Sequence, residues 1–281
     1  MEIKLYNGVV FNGQEFSRTE DPISIEVPLS IAVNNVPFTV TMQTPGNEFD
    51  LARGLLFTEN IFRDLLHSPS IEVITKNKEG FIESINVQIP NEFILKDFAG
   101  TRNVISSSSC GVCGKTTLDD MHCTVVNNSA KLNAELVPKM FEQINAGQIN
   151  FQKSGGTHAA GAFTIDGQLL TLQEDIGRHN AVDKVVGFLI NNKLIEKAKC
   201  ITVSGRISYE IVEKAKSANI PFIAAVSAPS TLAIDNAQES GISLMAFCRN
   251  DKFTIYSNPH QITIVNTNLV SDKIKIKNDV E

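Results

Sequence analysis

The residues best equipped for chemistry are Cys110-Gly111-Val112-Cys113, preceded by Ser106–Ser109 and followed by Gly114-Lys115. A thiolate is the reactive form of cysteine, and a nearby cation or exposed backbone N–H groups lower its pKa. Lys115 supplies such a charge, and the two glycines let the backbone fold closely around the sulfurs. Two thiols at this spacing can trade a sulfur atom, form a disulfide or bind a metal. A thioredoxin-like site would need a buried strand upstream, and a serine-rich run makes a poor one. A zinc site needs two more ligands, and the adjacent His122-Cys123 lack the usual spacing of a second half-site. A loop carrying a nucleophilic or sulfur-carrying cysteine fits the glycine and serine surroundings best. Cys200 and Cys248 border apolar strands and read as buried small hydrophobes, and Cys123 reads as structural.

Two further groups of residues carry chemistry. The ends of three expected parallel strands are Ser204-Gly205-Arg206, Ser227-Ala228-Pro229 and Cys248-Arg249, where ligands of open α/β sheets bind. Helices starting near Ser208 and Ser230 would aim free N–H groups at the same crevice, which suits a phosphate or pyrophosphate. The alternative is that Gly205 and Pro229 only make turns and the arginines are solvated. The other group is His158 with Asp175, Arg178 and His179, beside a helix start. These residues can position a ligand or tune a proton transfer, or Asp175 and Arg178 can form a local ion pair.

The elements that must position these residues follow from periodicity. The first third reads as β-rich, with strands Ser24–Val33 and Val36–Thr44 joined at Asn34-Asn35. A helix follows from about Asn47, burying Leu51, Leu55 and Leu56, and then come strands 71–75 and 82–89. After the cysteine segment, a helix is expected from about Pro138 to Asn145 and a hairpin around Asp166-Gly167. Asn180 is expected to cap a helix that buries Val182, Val185, Val186, Leu189 and Ile190. Strand 200–204, helix 208–218, strand 220–226, helix 230–240 and strand 242–247 then alternate, implying parallel strands with helical crossovers. An antiparallel return over 253–256 closes the series. The fold class is α/β (α+β overall), with residues 1–125 as a small β-rich N-terminal domain ending in the Cys-x-x-Cys loop and 126–281 as the second domain.

Composition limits the function. The chain has 281 residues, 42% of them hydrophobic, enough for a sizeable core without disulfide staples. A net charge of −6 argues against a broad nucleic-acid surface. No apolar run approaches the roughly 18 residues of a membrane helix, and the N-terminus lacks the apolar core of a signal peptide. Five cysteines, an odd number, favour reduced thiols in the cytoplasm. Cytidine-deaminase chemistry needs His-x-Glu followed by Pro-Cys-x-x-Cys. Here His179 is followed by Asn180-Ala181, and only isolated cysteines come later.

SSCGVCGK, SGGTHAAG, EDIGRHNAVDKVVG, SGRISYE and IPFIAAVSAPSTLAI resemble the successive blocks of the formate dehydrogenase accessory sulfurtransferase family (FdhD), in family order from about residue 102 to 256. The resemblance implies a sulfurtransferase acting as a persulfide relay in molybdenum cofactor biosynthesis. Sulfur would pass from a cysteine desulfurase to the molybdenum bis-guanine dinucleotide cofactor, held as a bound substrate, which then enters formate dehydrogenase. No permanent cofactor or metal is implied. It also implies a cytidine-deaminase-like C-terminal domain without the zinc site, homodimers, Cys110 as persulfide carrier and Cys113 as its assisting partner. The stretch Phe247, Cys248, Arg249, Asn250, Asp251 and Lys252 would contact the cofactor, together with the strand-end residues Gly205, Arg206, Ser227 and Ala228. His158, Asp175, Arg178 and His179 would stand behind them. A rival reading is a cofactor-binding chaperone in which a zinc-bound Cys-x-x-Cys is purely structural.

Overall fold

Alternating β-branched runs in the first ninety residues pair as a four-stranded sheet. A computed structural model describes residues 2–96, 98, 125–126 and 129–264. The chain opens with β1 (Ile3–Phe11) and β2 (Phe16–Ser24), an antiparallel hairpin that forms a sheet of its own. Sequence periodicity does not give this hairpin, and Ser24 ends β2 instead of opening the next strand. Next come β3 (Val27–Val33), β4 (Val36–Gln43), helix α1 (Glu48–Thr58), β5 (Ser70–Lys76) and β6 (Ile82–Gln88), with sheet order β4-β3-β6-β5. Asn34 and Asn35 turn β3 into β4 with φ of 50° and 65°, as the favoured two-residue hairpin turn requires. Leu29, Ile31, Val33, Ile85 and Val87 alternate inward against Leu51, Leu55 and Leu56 of α1.

After β7 (Leu132–Asn133), α2 (Leu136–Gly147) and α3 (Ile149–Ser154), the second sheet begins. Its members are β8 (His158–Phe163), β9 (Leu169–Asp175), β10 (Cys200–Val203), β11 (Phe222–Ala225), β12 (Ser243–Arg249) and β13 (Lys252–Ile255). They lie in the order β13-β12-β11-β10-β8-β9. β10, β11 and β12 are parallel, while β8, β9 and β13 run antiparallel to their neighbours. Helices α4 (Arg178–Asn191), α5 (Tyr209–Ser217) and α6 (Thr231–Glu239) pack on Ile201, Val203, Ile223, Ala225 and Leu244. α2 covers the opposite face at Cys200, Phe222, Ala224, Met245 and Cys248. Burial on both faces explains why these strands read as continuous apolar runs. β14 (Ile262–Thr263) closes back onto β7. Among the described residues no helix is long and apolar enough to cross a membrane.

Asn180 does not cap α4. The helix starts two residues earlier, after Gly177, and the Asn180 amide donates to Met42 O (2.8 Å) and Asp175 Oδ1 (3.1 Å). α4 is the junction of the molecule, because α1 lies directly across it. A Cβ on Gly54 would stand 1.8 Å from Asp183 O, and one on Gly187 1.8 Å from Asp50 O. Both glycines are therefore required by backbone-to-backbone approach. α1 is consequently buried on nearly every side, sandwiched between the first sheet and α4.

Two buried ion pairs lock this junction. Lys184 Nζ donates to Asp175 Oδ2 (2.8 Å) and Thr44 O (2.8 Å), and Asp175 also accepts from the N–H groups of Gly177 (2.8 Å) and Thr44 (3.2 Å). Lys214 Nζ reaches both oxygens of Asp183 at 2.8 Å, and Thr58 Oγ1 completes that group at 2.8 Å. Both pairs tie α4 to the segment between β4 and the end of α1.

Candidate functional site

Antiparallel pairing places the start of β8 and the end of β9 beside the C-terminal ends of the parallel strands. His158, Asp175, Gly205, Arg206, Ser227, Ala228 and the β12–β13 turn therefore share one edge of the six-stranded sheet. With neighbouring strands about 4.8 Å apart, that edge is roughly 24 Å long. Its turns are bonded to each other. Ile207 N–H donates to Ala228 O (3.2 Å), Ser230 N–H to Ile207 O (3.0 Å) and Phe247 N–H to Ser227 O (3.4 Å). Arg249 Nε donates to Val226 O (3.4 Å), which fixes its guanidinium at the end of β11. Ser230 caps α6, its hydroxyl accepting from Ala233 N–H at 3.2 Å, whereas Ser208 precedes α5 without such a bond.

The β12–β13 turn is shaped for exposure. Phe247 has φ of 55° at a register shift in β12 and stands 45% exposed. Asn250 has φ of 54° in the turn itself. Phe247, Arg249, Asn250, Asp251, Lys252, Phe253 and Thr254 line a shallow depression of about 670 Å³. Cys248 points the other way. It is buried with Cys200 on the α2 side, and burial pushes its thiol up to about 12 and that of Cys200 higher still. The Cys248 side chain is therefore not available to a ligand on this edge, which corrects its place in the expected set.

At the other end of the edge, Gly205 packs against the His158 ring, with room for a Cβ only 3.3 Å from Nδ1 and 3.7 Å from Arg178 Cδ. Burial, Arg178 and Arg206 lower the pKa of His158, with Asp175 opposing them. His179 Nε2 lies 3.1 Å from Glu210 Oε2 and 3.2 Å from Ser208 Oγ. Burial, then Arg178, Lys214 and His158, push His179 down to about 3, so the neutral ring makes these contacts, with Nε2–H donating. This corner thus presents neutral imidazoles and positive guanidinium groups.

Asp175 is fully buried and pairs with Lys184, so the local ion pair with Arg178 is replaced, and the residue braces α4 from behind the edge. Sequence reasoning passed over Glu210 as a partner of His179, and over Lys184, Asp183 and Lys214 as buried charges. The one signal available was Asp183-Lys184 interrupting an otherwise apolar helix face. Cys110, Cys113, Lys115 and the His122-Cys123 pair lie outside the described residues.

The His179 environment has a consequence for stability. An unfolded imidazole takes up a proton near pH 6.5 whereas the folded one stays neutral to about 3. This residue's contribution to stability is therefore present above pH 6.5 and lost as pH falls, by up to about 1.4 kcal/mol per pH unit. His179→Gln is expected to flatten the acid limb of stability between pH 6.5 and 4. Urea melts with an unchanged slope over that window would contradict this.

A sequence model described as the FdhD/NarQ family matches residues 24–263. The chain belongs to the FdhD/NarQ family. Relatives named "Sulfur carrier protein FdhD" include one from Nocardia farcinica, 37% identical over 256 residues, with 88% of this chain and 90% of the relative covered. One from Sulfolobus acidocaldarius is 37% identical over 247 residues (88% and 93% covered), and one from Mycolicibacterium paratuberculosis 40% identical over 260 residues (89% and 94%). A crystal structure from Desulfotalea psychrophila, described as a formate dehydrogenase accessory protein, superposes with a TM-score of 0.71. It covers 94% of this chain and 100% of its own at 20% identity, a likeness of fold. The family match spans the four-stranded and six-stranded sheets and the whole strand-end edge.

Proposed function

We propose that this chain is a sulfur carrier that accepts sulfur from a cysteine desulfurase as a persulfide on Cys110, assisted by Cys113. The sulfur then goes to the molybdenum bis-guanine dinucleotide cofactor destined for formate dehydrogenase. In the loading step the Cys110 thiolate attacks the outer sulfur of the desulfurase persulfide. The S–S bond breaks, the desulfurase thiolate leaves, and Cys110 keeps the sulfur. The observation that carries this reading is the burial of both described cysteines. With Cys200 0% and Cys248 5% exposed, neither can meet a partner protein, which leaves the 110–123 segment. The names of the relatives support the sulfur-carrier role.

In this reading residues 1–125 present the cysteine segment, and residues 126–281 form a cytidine-deaminase-like unit that holds the cofactor as substrate. Arg249, Lys252, Arg206 and the backbone of the three turns would meet its phosphates, and Phe247 offers an exposed aromatic face. Arginine can give two parallel hydrogen bonds to a phosphate, where lysine acts as a point charge. The test is a pair of GDP titrations, on the wild type and on Arg249→Ala, beside a sulfur-loading assay. Loss of Arg249 is expected to weaken GDP binding by about 1.5–3 kcal/mol while leaving loading intact. Equal affinity would move the nucleotide off this edge, and lost loading would contradict the separation of the two steps.

A further inference from the structure

The β1–β2 hairpin carries both Asn-Gly pairs of the chain, Asn7-Gly8 within β1 and Asn12-Gly13 in the loop that leads to β2. Both asparagines are exposed. The pairs are alike in composition but not in structure, and the difference bears on one reaction. The backbone nitrogen that follows an asparagine can attack the side-chain amide carbon, and glycine, with no Cβ, bends most readily into that approach.

Gly8 is held. Antiparallel partners alternate between pairs that exchange N–H···O bonds and pairs that do not. At the two ends of the ladder, Ile25 N–H donates to Glu2 O at 2.9 Å and Asn12 N–H to Glu15 O at 3.2 Å. The same register sets Gly8 opposite Thr19, an even number of residues from either end, so the Gly8 N–H is engaged by Thr19 O. Thr19 also covers Gly8, its Cγ2 standing 3.3 Å from where a Cβ would be. Bringing Gly8 N onto the Asn7 side chain would break this ladder.

Gly13 is open to reaction. Its N–H has no acceptor among the described residues, its φ is 94°, and nothing lies within 4 Å of where a Cβ would be. The Asn12 side chain is already polarised, because Oδ1 accepts from Gln14 N–H at 3.1 Å and from Glu15 N–H at 3.0 Å. Negative charge gathers on that oxygen when a nucleophile adds to Cγ. Two fixed N–H donors stabilise it there, as an oxyanion hole does.

We propose that Asn12 is a site of spontaneous modification, converted through a succinimide to aspartate and isoaspartate, while Asn7 persists. Gly13 N forms a bond to Asn12 Cγ and gives up its proton, the Cγ–Nδ2 bond breaks, and ammonia leaves with that proton. Water then opens the ring at one carbonyl to give aspartate or at the other to give isoaspartate. No electrons are exchanged, and water is the only co-reactant. Either product adds a negative charge beside Glu15. Isoaspartate also lengthens the backbone by a methylene at the residue whose N–H closes the loop onto Glu15 O, next to the Phe11–Phe16 ring contact, with centroids 5.0 Å apart. The hairpin tip therefore changes in charge and shape as the molecule ages. The site precedes the family match, which begins at residue 24, and the inference does not rest on the sulfur-carrier reading.

The experiment incubates the full chain at mildly alkaline pH, once folded and once in guanidinium chloride. Peptide mapping that separates asparagine, aspartate and isoaspartate follows both sites. In the folded chain Asn12 is expected to convert at least about tenfold faster than Asn7, because Gly8 must first give up a ladder bond and the Asn7 amide has no such pair of donors. In guanidinium chloride the two rates should converge, since the fold no longer separates the sites. Asn12→Ser should leave the folded chain without product over the same period. Equal rates in the folded chain would overturn the proposal, as would faster conversion at Asn7, a ratio that denaturant leaves unchanged, or protection of both sites by the fold.

Discussion

Cys110→Ser is expected to reduce sulfur loading by a cysteine desulfurase to background, whereas Cys200→Ala and Cys248→Ala leave it unchanged. The contrast follows from ionisation and access. A thiol with pKa near 12, as burial gives Cys248, is thiolate in roughly one molecule in 10⁵ at neutral pH. Cys200 is more deeply buried still. Cys110 is flanked by Gly111 and by Gly114-Lys115, where a thiolate has a cation close in sequence. Cys113→Ser should still load and should lose onward transfer, the role of an assisting thiol. The check is radiolabelled sulfur transfer from cysteine through the desulfurase to each variant. Loading that survives in Cys110→Ser and vanishes in Cys123→Ser would move the carrier to Cys123.

Asp175→Ala is expected to cost the fold about 3–5 kcal/mol, the usual consequence of leaving one member of a buried ion pair without its partner. Lys184 would remain almost fully buried, with Thr44 O as its closest remaining acceptor, and Gly177 and Thr44 would each lose the carboxylate that accepts their N–H groups. Because Asp175 also holds Asn180, which reaches Met42 O, the damage extends to the contact between β4 and α4. Adding Lys184→Met should recover part of the loss, since removing both charges leaves no uncompensated ion. Urea denaturation of the two variants measures this directly. A loss under about 1 kcal/mol for Asp175→Ala, or no recovery in the double variant, would contradict the clamp.

The second sheet was legible in the sequence because its signals are local and agree with one another. Strand and helix lengths alternate, Ser230 caps α6, Gly241 follows it with φ of 72°, and Asp166-Gly167 turns β8 into β9. The gathering of site residues on one edge was legible for the same reason, since parallel strands bring their C-terminal ends together. The β1–β2 hairpin was not legible. Residues exposed on both faces have no core to alternate against, so β1 carries no inward-outward pattern to read. The start of α4 was misread because Asn180 is a good cap by type, yet tertiary partners take its side chain. A local pair of Asp175 with Arg178 was one of two readings, but the partner that matters is Lys184, six residues beyond Arg178 in α4, together with Thr44, just past β4 and 131 residues away. The His179–Glu210 contact was likewise out of reach, because only the folded sheet brings β9's end beside α5.

The most direct test of the sulfur-carrier account is the mass of the intact wild-type chain after incubation with a cysteine desulfurase and cysteine, followed by peptide mapping. The account predicts one added sulfur atom, removable by a thiol reductant and located on Cys110. Added sulfur on Cys200 or Cys248, or no added sulfur together with one tightly bound zinc ion per chain, would contradict it.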